Sequence, residues 1–391
     1  MSMTTQEFIQ KYRNDDVRKL AFMHDKYADV DMPFALEQIK GWQTARHKLP
    51  SWAATEGVIY PPQLSMEQCS SEQTALLKAD IVRNSCPRRR LMIDLTGGFG
   101  VDFSFMARHF EQAVYVERQE GLCAIARHNF QTKGLEQATV EHADSEEYLR
   151  RAPKADLIFM DPARRDSKGG RTFAIADCTP DVTALLPLLL EKADRLLVKL
   201  SPMLDWHKAV KDMGQVSDVY VVAVGGECKE LLLQVVPGWA ENPRIHCIED
   251  GMEWAVEPPQ AMKALPVVEP LVGHYLYVPG AAAMKVGCFD AMEQTFGMRQ
   301  LAPNSHLFLS SELIEGFPGR RFRLTAVSSF NKKELRERLS GLTKANVAVR
   351  NFPMTAEALR QKLKLKDGGE SYLFGTTDDR GAHLLLIGEK L

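Results

Sequence analysis

The sequence predicts an α/β fold with a mostly parallel sheet, preceded by helices and followed by a separate α+β module. From about residue 88 to residue 236, short apolar runs alternate with amphipathic stretches. That alternation is typical of parallel strands joined by crossover helices. Before residue 80, apolar residues recur at three- and four-residue steps, which predicts helices. Four prolines between residues 257 and 270 indicate a boundary before the C-terminal part.

These patterns divide the chain into four predicted parts: a helical region at 1–80, an α/β domain at 81–257, a small ferredoxin-like α+β segment at 271–317 and a last module at 318–391. The predicted strands of the α/β domain lie, in order, at 91–95, 113–116, 139–142, 156–160, 195–200, 219–224 and 230–236. The final two are joined by Gly225-Gly226, so we expect them to be antiparallel. Helices are predicted at 281–295, 331–342 and 355–365 in the C-terminal part.

Composition excludes several classes of protein. The chain has 391 residues, of which 45% are hydrophobic and 26% charged, as in ordinary globular proteins. Seven scattered cysteines without a CxxC pair predict free thiols in a reducing cytoplasm, with neither a disulfide framework nor a zinc site. No apolar run is long enough to span a bilayer, so no membrane association is expected.

Charge is distributed unevenly along the chain. Residues 320–391 hold 15 Lys and Arg against 8 Asp and Glu, a net charge of 15 − 8 = +7. The whole chain carries −2, so the remainder carries −9. A basic module of this kind can bind a polyanion, or can simply present a solvated basic face, and charge alone favours neither.

The segment that indicates chemistry begins at the first predicted strand, Leu91–Leu95, and continues into a glycine-rich turn. Gly98 and Gly100 would let a ligand approach the backbone closely. The third glycine of the dinucleotide fingerprint is missing, and Asp94 ends the strand. A carboxylate there would repel a pyrophosphate but can pair with an ammonium, which fits the amino acid end of S-adenosylmethionine (SAM).

Three further strands also end in acidic residues. Glu117 can accept hydrogen bonds from two ribose hydroxyls, although NAD sites share this feature. Asp144 is placed to accept from an adenine amine, and Asp161 opens the segment Asp161-Pro162-Ala163-Arg164. In this order and spacing, the residues resemble class I SAM-dependent methyltransferases, with a Rossmann-like catalytic domain. Thr96 stands at the first glycine of the usual motif, a departure familiar in RNA methyltransferases.

The wider chain resembles bacterial methyltransferases with a THUMP-like C-terminal domain. The matching stretches are Glu67–Ser71, Asp94–Asp102, Asp161–Asp166, Lys199–Asp205, Glu227–Leu232 and Leu363–Gly369. The resemblance implies SAM as cofactor and RNA as partner. It places the cofactor-binding residues at Asp94, Thr96, Gly98, Gly100, Glu117 and Asp144, and the catalytic ones at Asp161, Pro162 and Arg164.

The motif is less specific about which atom of the substrate accepts the methyl group. Asp161-Pro162 resembles the Asp/Asn-Pro-Pro-aromatic motif of amino-methylating enzymes, in which a positioned exocyclic amine attacks the methyl group. This favours a nitrogen target, although Arg164 replaces the aromatic residue. Carbon-5 methylation of uridine is less favoured, because Ser201 lies where a nucleophilic cysteine is needed. Cys178 is a possible substitute, or a small buried residue.

Two sets of cations are candidate phosphate contacts. The first is the loop after the catalytic motif, with Arg165, Lys168 and Arg171. The second is on the predicted helix 355–365, where four-residue spacing places Arg360 with Lys364, and Lys362 with Lys366. The sequence thus predicts a SAM-dependent methyltransferase of tRNA or rRNA. The alternatives are a non-catalytic RNA-binding protein on the same scaffold, and a methyltransferase of DNA or protein.

Overall fold

The computed structural model describes residues 3–164, 175–256 and 268–391. The α-helices are α1 (Thr5–Tyr12), α2 (Val17–Ala21), α3 (Met32–Lys48), α4 (Pro50–Ala53), α5 (Gln63–Gln68), α6 (Glu72–Ser85), α7 (Val101–Met106), α8 (Glu120–Thr132), α9 (Ser145–Arg151), α10 (Val182–Lys192), α11 (Trp206–Met213), α12 (Ala281–Val286), α13 (Phe289–Phe296), α14 (Lys332–Arg338) and α15 (Ala356–Lys362).

The strands are β1 (Leu91–Asp94), β2 (Gln112–Glu117), β3 (Ala138–His142), β4 (Leu157–Met160), β5 (Ala163–Arg164), β6 (Cys178–Thr179), β7 (Leu196–Leu200), β8 (Val216–Val224), β9 (Glu227–Val235), β10 (Arg244–Glu249), β11 (Met252–Val256), β12 (Tyr275–Pro279), β13 (Arg299–Gln300), β14 (Phe308–Ser310), β15 (Gly319–Ser329), β16 (Lys344–Arg350), β17 (Lys366–Thr377) and β18 (His383–Lys390). The chain forms two compact units, of which the first holds 1–217 and 232–242, and the second 218–231 and 243–391.

The first unit is built on a Rossmann-like sheet in the order β9-β7-β4-β1-β2-β3. The pairs β7–β4, β4–β1, β1–β2 and β2–β3 are all parallel. β4 is buried along its whole length, as expected of a strand covered by helices on both faces. β9 follows β8 after a two-residue turn, the connection that joins antiparallel strands, and the mostly parallel sheet confirms the predicted fold class. The parallel order places the carboxyl ends of β1, β2, β4 and β7 at one edge.

The N-terminal helices pack onto this unit through an apolar cluster. Trp52 is fully buried and lies with its ring centroid 4.8 Å from that of Phe99, in the glycine-rich turn. α6 is capped by Ser71, whose hydroxyl accepts a hydrogen bond from the Thr74 amide. The helical region predicted before residue 80 is therefore present, and α6 extends it to Ser85.

The second unit contains a seven-stranded sheet in the order β13-β14-β12-β15-β18-β17-β16. β15 pairs with β12 on one side and β18 on the other, both antiparallel, whereas β16 and β17 are parallel. The same unit holds β11-β10-β8, with β10 parallel to β8 and antiparallel to β11. Phe322 and Phe374 are among the buried side chains that fill its core.

All three predicted helices of the second unit were wrong in extent, and the one predicted at 331–342 ends at Arg338. The stretch 281–295 forms α12 and α13 instead of one helix, because Gly287 takes a left-handed conformation (φ 76°) that ends α12. The helix predicted at 355–365 ends at Lys362. Lys364 has a positive φ of 58°, and Lys366 begins β17. The four-residue spacing that placed these lysines on one helical face therefore does not apply.

Candidate active site

The glycine-rich turn connects β1 to α7 in a conformation that depends on its glycines. Gly98 and Gly100 have φ values of 57° and 82°, in the left-handed region. A Cβ on Gly100 would lie 2.8 Å from the Phe130 ring, whereas one on Gly98 would meet nothing closer than 3.8 Å. Gly100 is thus needed for packing, and Gly98 leaves open space beside the backbone.

Asp94, Thr96 and Asp161 are joined across the ends of β1 and β4. An Asp94 carboxylate oxygen accepts hydrogen bonds from the Thr96 amide at 2.9 Å and from its hydroxyl at 3.4 Å. The Thr96 hydroxyl oxygen in turn accepts from the Asp161 amide at 2.6 Å. Thr96 therefore has a structural role that glycine could not supply, because it links the first acidic strand end to the fourth.

Asp94 is nearly completely buried, and this changes its acidity. Burial raises the pKa of Asp94 to about 8, with the carboxylates of Asp102 and Asp161 contributing in the same direction. A buried carboxyl group of this kind gains from a cationic partner, since the partner favours its ionised form. The ammonium of an amino acid group satisfies that requirement.

Glu117 ends β2 with its carboxylate held by two backbone amides. One oxygen accepts from Gly98 N at 2.9 Å and the other from Gln119 N at 2.8 Å. Each carboxylate oxygen can accept a further hydrogen bond, so two vicinal hydroxyls could still be bound. The Tyr115 hydroxyl donates to the Gly98 carbonyl and fixes the turn from the same strand.

Asp144 follows β3 and caps α9. One of its carboxylate oxygens accepts hydrogen bonds from the amides of Glu146 and Glu147, at 2.9 and 3.4 Å. The residue is exposed. Its neighbour Ser145 donates to the Leu95 carbonyl at 2.6 Å, which ties the end of β3 to the end of β1.

These residues fit SAM by the chemistry of their groups. The buried carboxyl group of Asp94 requires a cation and matches the ammonium of SAM. The carboxylate of Glu117 at the end of β2 can accept further hydrogen bonds and matches the ribose diol. The open backbone at Gly98 leaves space for the chain of the molecule. Asp94, Gly98, Glu117 and Asp144 would hold it. When bound, SAM supplies a methyl group on a positively charged sulfur.

Sequence reasoning assigned no role to the side chain that contacts Asp161 most closely. Lys199, near the end of β7, has its Nζ 2.6 Å from an Asp161 carboxylate oxygen. The same Nζ donates to the Ser70 hydroxyl at 3.0 Å and lies 3.5 Å from an Asp102 oxygen. The β4–β7 pairing, with Met160 opposite Val198, brings Asp161 and Lys199 together.

A second lysine completes this cluster. Lys78 of α6 is fully buried, and its Nζ lies 3.2 Å from Asp102 of α7. Ser70 donates to the other Asp102 oxygen at 2.7 Å. Burial by itself would raise the pKa of Asp102, but Lys78 and Lys199 hold the pKa of that carboxyl below its ordinary value. The motif stretches named Ser70, Asp102 and Lys199 separately; only the fold brings them together.

The remaining predicted catalytic residues lie beside Asp161. Pro162 is buried, and the backbone of Arg164 in β5 pairs with Cys178 in β6. Cys178 is itself buried, as the structural interpretation of this residue expected. The loop cations Arg165, Lys168 and Arg171 lie outside the described residues. Within the described ranges, no group of His, Cys, Asp and Glu is arranged to hold a metal ion.

The four C-terminal cations predicted to bind RNA do not form one basic face. Arg360 is paired with Glu357 at 2.5 Å and lies 3.6 Å from Asp367. The Lys362 ammonium lies over the Phe330 ring, 4.6 Å from its centroid. These contacts compensate part of the positive charge that the sequence pattern assigned to the α15 region.

Helix α14 instead presents a concentrated basic surface. Its sequence KKELRER carries four exposed cations, Lys332, Lys333, Arg336 and Arg338. None of the four has a carboxylate within 4.0 Å among the residues that the structure describes. The signal for this surface, two lysines followed by two arginines at helical spacing, is present in the sequence, although the predicted C-terminal phosphate contacts included only Arg360, Lys362, Lys364 and Lys366.

The comparisons with known proteins agree with this geometry. Residues 275–318 match a family of ferredoxin-like domains, and residues 319–390 match a THUMP domain-like family. Over its whole length, the chain is similar to the crystal structure of a protein from Porphyromonas gingivalis W83 assigned as a methyltransferase. The two share 31% sequence identity, with 100% of each chain covered and a TM-score of 0.83.

Partial matches include a SAM-dependent methyltransferase from Agrobacterium tumefaciens, with 19% identity, 42% of this chain and 62% of that chain covered, and a TM-score of 0.32. They also include an rRNA methylase from Streptococcus thermophilus, with 12% identity, 41% and 94% covered, and a TM-score of 0.32. No curated protein sequence matches the chain. With the full-length match and the C-terminal family model together, the chain belongs to the class I SAM-dependent methyltransferases that carry a THUMP-like C-terminal domain.

Proposed function

We propose that the protein transfers a methyl group from SAM to structured RNA, either tRNA or rRNA. The observation that carries the proposal is the row of acidic strand ends, Asp94, Glu117 and Asp161, beside an open glycine turn. A scaffold without catalytic activity would have no need for the buried carboxyl group of Asp94, which is unfavourable without a cation. The non-catalytic alternative is therefore less favoured.

The RNA part of the proposal rests on the C-terminal module. Residues 320–391 carry a net charge of +7 while the rest of the chain is acidic, and residues 319–390 match the THUMP domain-like family. The exposed cations of α14 are suited to phosphate contacts, which fix an RNA in place without reading its sequence. A protein substrate would not require phosphate contacts, and the THUMP domain-like match favours RNA over DNA.

The site residues are proposed in two groups. Asp94, Thr96, Gly98, Gly100, Glu117 and Asp144 bind SAM, and Asp161, Pro162 and Arg164 form the acceptor side. A nitrogen acceptor stays a prediction from the Asp161-Pro162 motif. All seven cysteines are free thiols, which suits the cytoplasm that we propose as the place of action. Among the described residues, no helix is long and apolar enough to cross a membrane.

The proposal is tested with the full-length protein, radiolabelled SAM and total RNA from a strain that lacks the gene. We expect label in RNA and none in DNA or protein from the same strain. Asp161→Ala should lower the transfer rate by a factor of about 100 or more, with the SAM Kd unchanged, because Asp161 is placed on the acceptor side. Cys178→Ala should retain activity.

Three results would contradict the proposal. Failure to bind SAM in calorimetry would exclude methyl transfer from it. Label in DNA or protein but not in RNA would overturn the substrate class. An inactive Cys178→Ala variant that still folds and binds SAM would indicate a covalent cysteine mechanism instead of direct attack by the acceptor.

A further inference from the structure

The segment between α5 and α6 reaches the acceptor side of the site through one hydroxyl group. Ser70 lies in this segment, and its side chain is buried. Its hydroxyl oxygen accepts a hydrogen bond from the Lys199 ammonium at 3.0 Å. The same ammonium donates to a carboxylate oxygen of Asp161 at 2.6 Å. One lysine therefore connects the N-terminal helices to the carboxylate proposed to face the methyl acceptor.

The Ser70 hydroxyl bridges two charged groups. A serine hydroxyl has one proton to donate and two lone pairs with which to accept. Ser70 donates to an Asp102 oxygen at 2.7 Å and accepts from Lys199 at 3.0 Å. The direct contact of the Lys199 Nζ with the same Asp102 oxygen is longer, at 3.5 Å, beyond the usual range for hydrogen bonds of this kind. Ser70 thus separates the ammonium from Asp102 while it is bonded to both.

This separation affects how the Lys199 ammonium is shared between two carboxylates. Asp161 and Asp102 both attract it, and it is carried by a flexible stem of four carbons. Without the hydroxyl, Asp102 would lose a hydrogen-bond donor, which is unfavourable for a buried acceptor. Approach of the ammonium to Asp102 would restore a donor there, but it would draw the Nζ away from Asp161. Ser70 is therefore suited to keep the ammonium against Asp161.

The position of Ser70 is itself fixed by the helices on either side. Its neighbour Ser71 caps α6. At the end of α5, the Lys48 ammonium donates to the carbonyls of Met66 and Glu67 at 2.9 and 2.8 Å. Groups that take part in catalysis must be held to within about 0.5 Å by supporting residues on such elements. The junction of α5 and α6 meets this requirement.

We propose that Ser70 is a positioning residue, which holds the Lys199 ammonium so that Asp161 keeps one orientation towards the methyl acceptor. This rests on the proposed methyl transfer, with Asp161 on the acceptor side. Ser70 contacts neither the cofactor nor the acceptor in this role, and Lys199 remains an ammonium throughout. A misplacement of about 1 Å in an active site can lower a rate by about 100-fold. Loss of the hydroxyl should therefore lower kcat and leave the binding of SAM and RNA nearly unchanged.

Two variants of Ser70 and one of its neighbour test this role, in the full-length protein with saturating radiolabelled SAM and total RNA from a strain that lacks the gene. Ser70→Ala should lower kcat by a factor of about 10 or more, with the SAM Kd and the RNA KM within about twofold of wild type. Ser70→Thr retains the hydroxyl and should restore most of the rate. The control Ser71→Ala removes the cap of α6, so it should lower the Tm without lowering kcat.

The comparison of kcat with KM separates positioning from other roles of the hydroxyl. A wild-type kcat in Ser70→Ala would overturn the proposal, as would a Ser70→Thr variant no faster than Ser70→Ala. A raised RNA KM at unchanged kcat would assign the hydroxyl to RNA binding instead. Equal losses of kcat in Ser70→Ala and Ser71→Ala would show a structural effect of α6 and would also overturn the proposal.

A double variant tests whether Ser70 acts through Lys199. In a Lys199→Gln background the ammonium is absent, so adding Ser70→Ala should reduce the single-turnover rate by less than about twofold. Losses that multiply, as expected of residues that act independently, would overturn the proposal. A wild-type rate in Lys199→Gln alone would also overturn it, because Ser70 would then have nothing to position.

A crystal structure of Ser70→Ala gives a readout that does not depend on activity. The Lys199 Nζ should lie closer to Asp102 and should have left its 2.6 Å contact with Asp161. An unchanged contact would overturn the positioning role, whether or not RNA is methylated. Absence of label in RNA with the wild-type protein would instead overturn the proposed function.

Discussion

At the scale of single residues, the role proposed for Asp94 predicts that SAM binding depends on pH. Its raised pKa of about 8 means that most of the free protein carries a proton on this carboxyl near neutral pH. The ionised form is the one that binds an ammonium, so the proton must leave when SAM binds. We expect affinity to increase by about tenfold per pH unit between pH 6 and 7 and to level off near pH 8.

Calorimetry at pH 6, 7 and 8, in two buffers of different ionisation enthalpy, measures both the affinity and the proton release. Asp94→Asn should bind SAM more weakly at pH 8 and should lose the pH dependence. An affinity that stays constant from pH 6 to 8 in the wild type would show that Asp94 does not pair with the ammonium.

The same residue affects the stability of the free protein. Because its folded pKa lies above the ordinary value of 3.8, the folded chain holds this proton more tightly than the unfolded chain. The resulting contribution of Asp94 to the free energy of unfolding is fully present below about pH 4 and is lost as pH rises towards 8. Saturating SAM should offset part of that loss, by mass action and by pairing with the carboxylate.

Glu117, the proposed acceptor for the ribose hydroxyls, also supports the glycine turn through the Gly98 amide. Replacing it with alanine removes the acceptor for the ribose hydroxyls and also frees the Gly98 amide. Hydrogen bonds to a charged group contribute about 1.5–3 kcal/mol, so Glu117→Ala should weaken SAM binding by roughly 10- to 150-fold. Calorimetry checks this against Glu120→Ala, a control at the exposed first turn of α8. Equal affinities in the two variants would exclude Glu117 from the site.

At the scale of elements, sequence patterns predicted the strands of the first unit well. β1 and β4 are short apolar runs that end in, or are directly followed by, an aspartate, and the carboxyl ends of parallel strands meet at one edge. The Lys199 cluster could not be predicted in the same way. Ser70 and Lys78 lie near each other in sequence, but Asp102 in α7 and Lys199 in β7 come from distant parts of the chain, and a lysine in a pattern is otherwise assigned to solvent.

The C-terminal helices show where periodicity fails. The spacing of Arg360, Lys362 and Lys364 suggested a basic helical face, but α15 ends at Lys362 and the chain turns through a left-handed residue. Asn331 and Glu334 have capping-box spacing; Asn331 does cap α14, yet Glu334 accepts hydrogen bonds from Ser329. Local spacing predicts where α14 and α15 begin, but it does not determine which groups their individual side chains contact.

The basic surface of α14 yields a prediction for RNA binding. Replacing Lys332, Lys333 and Arg336 with glutamate should weaken RNA binding and reduce its dependence on salt, because fewer counterions are released. The matched replacement of Arg360, Lys362 and Lys364 should have a smaller effect, since Arg360 is already paired. Filter binding to total RNA at several salt concentrations compares the two. A larger loss for the second set would assign RNA binding to the α15 region.

At the scale of the whole molecule, the seven-stranded sheet restricts how the chain can be divided. The proposed boundary between 271–317 and 318–391 lies within this sheet, where β15 pairs with β12. Cutting there would remove β15 to β18 and expose the β12 edge. We therefore expect the 1–317 protein to aggregate or lose cooperative unfolding, as followed by calorimetry. A stable, monomeric 1–317 fragment would contradict this expectation.

The buried Lys78–Asp102 pair has a consequence for the evolutionary history of the chain. Lys78 belongs to the N-terminal helices and Asp102 to the first helix after the glycine turn, and both are shielded from water. Removing one partner of a buried pair costs about 3–5 kcal/mol, because the remaining charge is left without compensation. A recombination event that exchanged the N-terminal helices for unrelated ones would incur that cost in the catalytic domain. The two segments are therefore expected to have been inherited as one unit, rather than assembled by domain shuffling.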